Sequence, residues 1–251
     1  VVETNETTKT DTTAEVDVKS DPITPVGPPL LNKADHYAYI VGYPDGLVHP
    51  EKNITRAKVS TIFFRMLLDE SREDFWSQVN PYYDVLPQDW YNNAISTMTN
   101  AGIVNGYPDG NFYPNDNITR AEVAAILYRL LGDKTIREYQ TNKNPFVDVY
   151  AGAWYNTAVS TLYNAGIITG SGYRFDPETP ITRAELAAML ARFYEGSWNG
   201  KCSFRDVAKN AWYYDEIGLA VQMGWVVGDE YGFRPNDCVL RCEAVTMINR
   251  V

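Results

Sequence analysis

Four arginines recur in one local setting: Arg56 in Ile54-Thr55-Arg56-Ala57-Lys58, Arg120 in Ile118-Thr119-Arg120-Ala121-Glu122, Arg183 in Ile181-Thr182-Arg183-Ala184-Glu185, and Arg241 in Val239-Leu240-Arg241-Cys242-Glu243. Thr119 with Glu122, and Thr182 with Glu185, have the spacing of a capping box, which makes the arginine the first residue of a helix. A cation there faces the positive end of the helix dipole, a conflict of about 0.3 to 1 kcal/mol. The position therefore calls for an anion, and two sources are open. Arg plus free first-turn N–H groups can hold a carboxylate or phosphate ligand, or the guanidinium can pair with an Asp or Glu of the same chain. On the dipole argument, removing the arginine should cost little fold stability.

Other chemistries find less support. His36 and His49 are the two histidines, and neither accompanies a Ser or Cys in a nucleophile motif. The carboxylates repeat with the arginine motif or scatter, so no unique pair is set for glycoside hydrolysis. Asp109-Gly110-Asn111 lacks the register and closing Glu of a calcium loop. Cys202, Cys238 and Cys242 lack the paired spacing of a zinc site; they read as small buried hydrophobes, with one disulfide plus a spare thiol as the other reading. We expect no catalysis, no metal and no cofactor. A formal charge of -10 argues against a nucleic-acid partner. No apolar run is long enough to span a bilayer, and residues 1 to 20 carry no signal-peptide pattern.

The elements that must position these arginines repeat with them. Gly42-Tyr43-Pro44-Asp45-Gly46 recurs as Gly106-Tyr107-Pro108-Asp109-Gly110, and diverges to Gly170-Ser171-Gly172-Tyr173 and Gly228-Asp229-Glu230-Tyr231-Gly232. Upstream, Asp84-Val85 leads to Trp90, Asp148-Val149 to Trp154 and Asp206-Val207 to Trp212, each opening a helix. Tyr91, Ala94, Ile95, Met98 and Tyr155, Ala158, Val159, Leu162 keep the period of a buried helical stripe; in the third copy Glu216 falls on that stripe and must find a partner or lie at its edge. Val123, Ile126, Leu127 and Leu130, with their counterparts, mark an amphipathic helix after every arginine. The chain divides into a flexible Thr/Pro/acidic linker over 1–32, a truncated leading repeat over 33–69, and repeats over 82–132, 146–194 and 204–251, the last degenerate. The fold class is mainly α, tandem helix-loop-helix units.

Asp-Val, Trp, a Gly-Ile or Gly-Trp turn, Gly-Tyr-Pro-Asp-Gly and Ile-Thr-Arg-Ala-Glu, recurring in register over residues 36 to 251, closely resemble the S-layer homology family. Lys58 in place of the motif acid, and Leu240 and Cys242 in place of Thr and Ala, depart from its pattern. The resemblance implies a pseudo-threefold helical assembly, extracellular at the bacterial cell wall or S-layer surface. The implied partner is a cell-wall glycopolymer, either secondary cell-wall polysaccharide bearing an anionic or pyruvylated sugar or a glycan linked to peptidoglycan, and further domains of the same surface protein can be fused to the array. The resemblance points to ligand binding by Arg56, Arg120, Arg183 and Arg241 in inter-repeat grooves, with Trp90, Trp154, Trp212, Gly106, Gly170 and Gly228 beside them. For the tryptophans, core packing under the helix start is an equal reading, and the glycines serve backbone geometry first. The rival function is a helical repeat module that binds another surface protein through Tyr-rich faces.

Overall fold

A computed structural model describes residues 50–131, 133–194, 200 and 202–250. The linker over 1–32, both histidines and the turn at 42–46 lie outside the described residues. The helices are α1 Arg56–Met66, α2 Asp69–Asp74, α3 Asn92–Asn100, α4 Arg120–Leu130, α5 Asp133–Tyr139, α6 Asn156–Asn164, α7 Arg183–Phe193, α8 Tyr214–Gln222 and α9 Arg241–Arg250. The fold is all-helical apart from isolated bridges among the described residues, and α2 and α5 are short connecting helices beyond the repeat pattern.

Local contacts fix the starts of α4 and α7 and the ends of α3, α6 and α8. Thr119 Oγ1 accepts from Glu122 N while Thr119 N donates to Glu122 Oε2 (2.9 Å), and Thr182 with Glu185 repeats the box. Thr55, which has Lys58 where the acid belongs, makes no side-chain cap. At the other end, α3, α6 and α8 close on Gly102, Gly166 and Gly224, all with positive φ. Ile103, Ile167 and Trp225 then donate back to Met98, Leu162 and Ala220, the glycine-terminated closure that satisfies orphan carbonyls.

One device acts within each repeat and a second joins the repeats. The motif aspartates are turn clamps: Asp84 accepts from the N–H groups of Phe112 and Tyr113, Asp148 from Phe175 and Asp176, and Asp206 from Phe233 and Arg234. The second residue of each pair is left-handed, at φ 53–55°, so the two bonds to one carboxylate hold a backbone conformation that a non-glycine side chain disfavours. The second device is a ring. Ile54 donates to Val239 O (3.2 Å), Val239 to Ile181 O (3.1 Å), Ile181 to Ile118 O (3.1 Å) and Ile118 to Ile54 O (3.3 Å), closing a circuit of four backbone bonds around four buried side chains. Three complete helix-loop-helix units and the leading arginine helix share this axis.

Outside the ring, α1 packs on α3, α4 on α6 and α7 on α8, so every arginine helix before the last is covered by the first helix of the following repeat. Helix α9 packs on α1 and α7. One core of Ile, Leu, Val, Met and Phe runs through all repeats.

Candidate functional site

The arginines sit at the first helical position, as the motif predicts, but their surroundings are more closed than the dipole argument anticipates. The N–H groups of Arg120 and Ala121 donate to Thr179 O and Pro177 O of the next repeat, both at 3.0 Å; the same bonds recur at Arg56, Arg183 and Arg241. With the third N–H capped by threonine, little of the first turn of α4 stays open to an anion. The side chain is latched as well. Arg120 is 4% exposed, lies over the Phe175 ring at 4.4 Å and pairs with Glu185 at 3.1 Å. Arg56 sits over Phe112 and pairs with Glu122, and Arg183 over Phe233 with Glu243. The acid of one motif neutralises the arginine of the motif before it. Arg241 is buried too.

The glycines have an internal reason. A Cβ on Gly106 would stand 2.4 Å from the Tyr82 ring and 2.7 Å from Asn111 O; Gly170 and Gly228 meet Phe146 and Phe204 in the same way, each at 2.3 Å. Close approach of an aromatic ring demands glycine there without any ligand. The tryptophans go the other way. Trp90, Trp154 and Trp212 are 55%, 54% and 45% exposed, each in a T-shaped contact with the following tyrosine, and the Arg192 guanidinium lies over the Trp212 ring at 5.7 Å.

Among the described residues, three related grooves lie between repeats. The leading groove, about 380 Å³, is lined by Arg56, Val104, Asn105, Gly106, Tyr107, Glu122, Ile126, Arg129 and Trp154 among others. It thus brings together three of the expected residues, Arg56, Gly106 and Trp154. The middle groove repeats it position by position with Arg120, Ile168, Thr169, Glu185, Met189, Arg192 and Trp212, yet its volume is only about 10 Å³. The last groove, about 420 Å³, has Arg183, Val226, Val227, Glu243, Met247 and Arg250, with Arg234 and Asp229 added, and it has no tryptophan from a following repeat. Trp90 lies in none of these three grooves.

The second arginine of each groove was not singled out from the sequence. Arg65, Arg129, Arg192 and Arg250 each follow a motif arginine by nine residues, and that recurrence is the signal that could have found them. Arg129 donates to Ile103 O (2.8 Å) and, with the Asn105 amide oriented to satisfy both its groups, to Asn105 Oδ1 (2.9 Å). It forms no ion pair among the described residues, and burial pulls its pKa below the ordinary value. The leading groove therefore carries a half-buried cation that neutral oxygens solvate and no carboxylate of the described residues neutralises. Nearby, Tyr107 donates to Glu122 Oε1 (2.7 Å); burial first, then that bond, raise its phenol, so it stays a donor. Burial, with Glu122 second, raises the Glu178 carboxyl.

Glu216 finds its partner in Arg192. The three cysteines are free thiols of intermediate exposure. Among the described residues no cluster of His, Cys, Asp and Glu could hold a metal ion, and no helix is long and apolar enough to cross a membrane.

The S-layer homology domain model matches residues 81–124, 145–187 and 203–245. Cell surface glycoprotein 1 of Acetivibrio thermocellus is 36% identical over 220 residues, covering 82% of this chain and 9% of its own length. The cellulosome-anchoring protein of the same organism is 36% identical over 191 residues, 74% of this chain and 42% of its own length. The S-layer protein sap of Bacillus anthracis is 28% identical over 169 residues, 66% of this chain and 20% of its own length. The chain thus spans less than half the length of each of these relatives. Three motif copies in register, whose Asp clamps a turn within its own repeat and whose Arg and Glu latch successive repeats, leave one assignment: the chain belongs to the S-layer homology family.

Proposed function

We propose that the leading groove binds the anionic, pyruvylated sugar of a secondary cell-wall polysaccharide, and that this attaches the chain to the wall. Family membership makes the chain a module of the bacterial cell surface with a general role in wall anchoring; the ligand and its groove are the proposal. The observation that carries it is Arg129: a half-buried guanidinium without a carboxylate partner among the described residues, opening into about 380 Å³ beside an exposed indole face. A ketal carboxylate would supply the missing counter-charge through a two-bond contact, and Trp154 would stack on the apolar face of the ring. Asn105 and Tyr107 offer polar groups for hydroxyl and amide recognition.

In this reading Arg56, Arg120 and Arg183 serve chiefly by holding the groove walls, while Arg129 meets the ligand. The test is calorimetry of wild type, Arg129→Gln and Trp154→Ala against purified wall polysaccharide before and after removal of its pyruvate. Loss of binding with either substitution, and with depyruvylated polymer, is the expected result. Undiminished binding by folded Arg129→Gln would overturn the assignment, and binding that survives on polysaccharide-free wall protein would favour a protein partner instead.

A further inference from the structure

The leading and middle grooves are built from the same positions, yet one holds about 380 Å³ and the other about 10 Å³. Their linings differ at Asn105 against Thr169 and at Ile126 against Met189, while the difference in charge comes from the facing helix. Where α3 and α6 carry Ala94 and Ala158, α8 carries Glu216. Helix α4 packs on α6 and α7 on α8, so Ala158 stands to Arg129 as Glu216 stands to Arg192. Arg192 Nε donates to Glu216 Oε1 (2.7 Å), Nη2 reaches the same oxygen, and Nη1 donates to Thr169 Oγ1 (3.1 Å). Its guanidinium lies 5.7 Å from the Trp212 ring centroid, against the aromatic face that the leading groove leaves free at Trp154.

We infer that Glu216 is a built-in competitor that occupies the anion position of the middle groove and draws Arg192 across it, so that this groove does not take the wall sugar while the leading groove does. The inference rests on the proposed reading of the leading groove. Its logic is charge and space together. Arg120 is neutralised by Glu185 and Arg192 by Glu216, so the middle groove offers an incoming carboxylate no uncompensated cation. A ligand would have to displace a tethered carboxylate whose effective concentration is high because it belongs to the adjacent helix. Sugar selection between these two grooves is therefore set by a position outside the arginine motif, where Ala158 leaves the leading groove open and Glu216 closes the middle one.

Glu216→Ala restores the residue of the other two repeats and should fold as they do; Glu216→Gln keeps the shape and removes the charge. The probe is a methyl hexosaminide bearing a 4,6-pyruvate ketal, titrated into the whole chain while the indole N–H resonances of Trp154 and Trp212 and the Nε–H of Arg192 are followed by NMR. In wild type Trp154 should shift and Trp212 should not. In Glu216→Ala both should shift, calorimetry should count one further equivalent, and the Arg192 Nε–H should lose its protection from exchange. Affinity at the middle groove should rise at least about tenfold, since the ligand no longer selects a minor open state; Glu216→Gln should fall between. A Trp212 response in wild type, or a silent Trp212 in Glu216→Ala while Trp154 responds, would overturn the inference. A silent Trp154 in every variant, with melting temperatures unchanged, would refute the leading-groove reading, and the inference would fall with it.

Discussion

Ile54 donates its backbone N–H to Val239 O across 3.2 Å, joining the leading segment to the last repeat. That bond closes the ring, so residues nearly the full described length apart become neighbours on one axis. All four donors of the ring belong to buried residues, and their amides should exchange with solvent only on global unfolding. Hydrogen exchange read residue by residue checks this. Faster exchange at Ile54 than at Ile118 and Ile181 would mean that the leader detaches while the remaining repeats stay folded.

Arg120→Ala should destabilise the protein by about 3 kcal/mol or more, because Glu185 is then left partly buried without its partner. This reverses the expectation from the helix dipole alone, whose relief is worth at most about 1 kcal/mol. Arg129→Gln should cost less, since it breaks no ion pair among the described residues. Denaturant melts of the two variants should differ in that order, and equal losses would contradict the division between a latch arginine and a ligand arginine.

Thr119→Ala and Thr182→Ala should each lower stability by about 0.5 to 2 kcal/mol through loss of a capping box. Thr55→Ala removes no cap bond and should fall below that range. Urea midpoints for the three substitutions measure the difference directly. A Thr55→Ala loss as large as the others would show that the threonines matter through packing.

Acid should release the turn clamps. Burial by itself would raise the Asp148 carboxyl, but the N–H groups of Phe175 and Asp176 outweigh it, with a smaller contribution from Arg174, and leave the pKa below the usual aspartate range. A carboxylate depressed in the folded state contributes stability that is complete above its unfolded pKa, roughly 3.9, and is lost as pH falls through the folded value. Melting temperature should therefore hold down to about pH 4 and decline below it on account of Asp148. Asp148→Asn should lower stability at pH 7 and flatten that decline, whereas an unchanged acid profile would show that other carboxylates control it.

The sequence alone determined the repeats, the arginine helix starts with their caps, and the family, because capping boxes, glycine stops and apolar periods are local relations between residues a few positions apart. It also placed Glu216 on a stripe where a charge needs a partner. The partner, the burial of the motif arginines and the unequal grooves were decided only by the tertiary structure. Arg120 meets Glu185, and Arg192 meets Glu216, across contacts between successive repeats whose distance no local pattern encodes. Identical motif residues thus line an open groove in one place and a closed one in the next, because the charge balance of a groove is summed over side chains from helices that meet only when the ring closes.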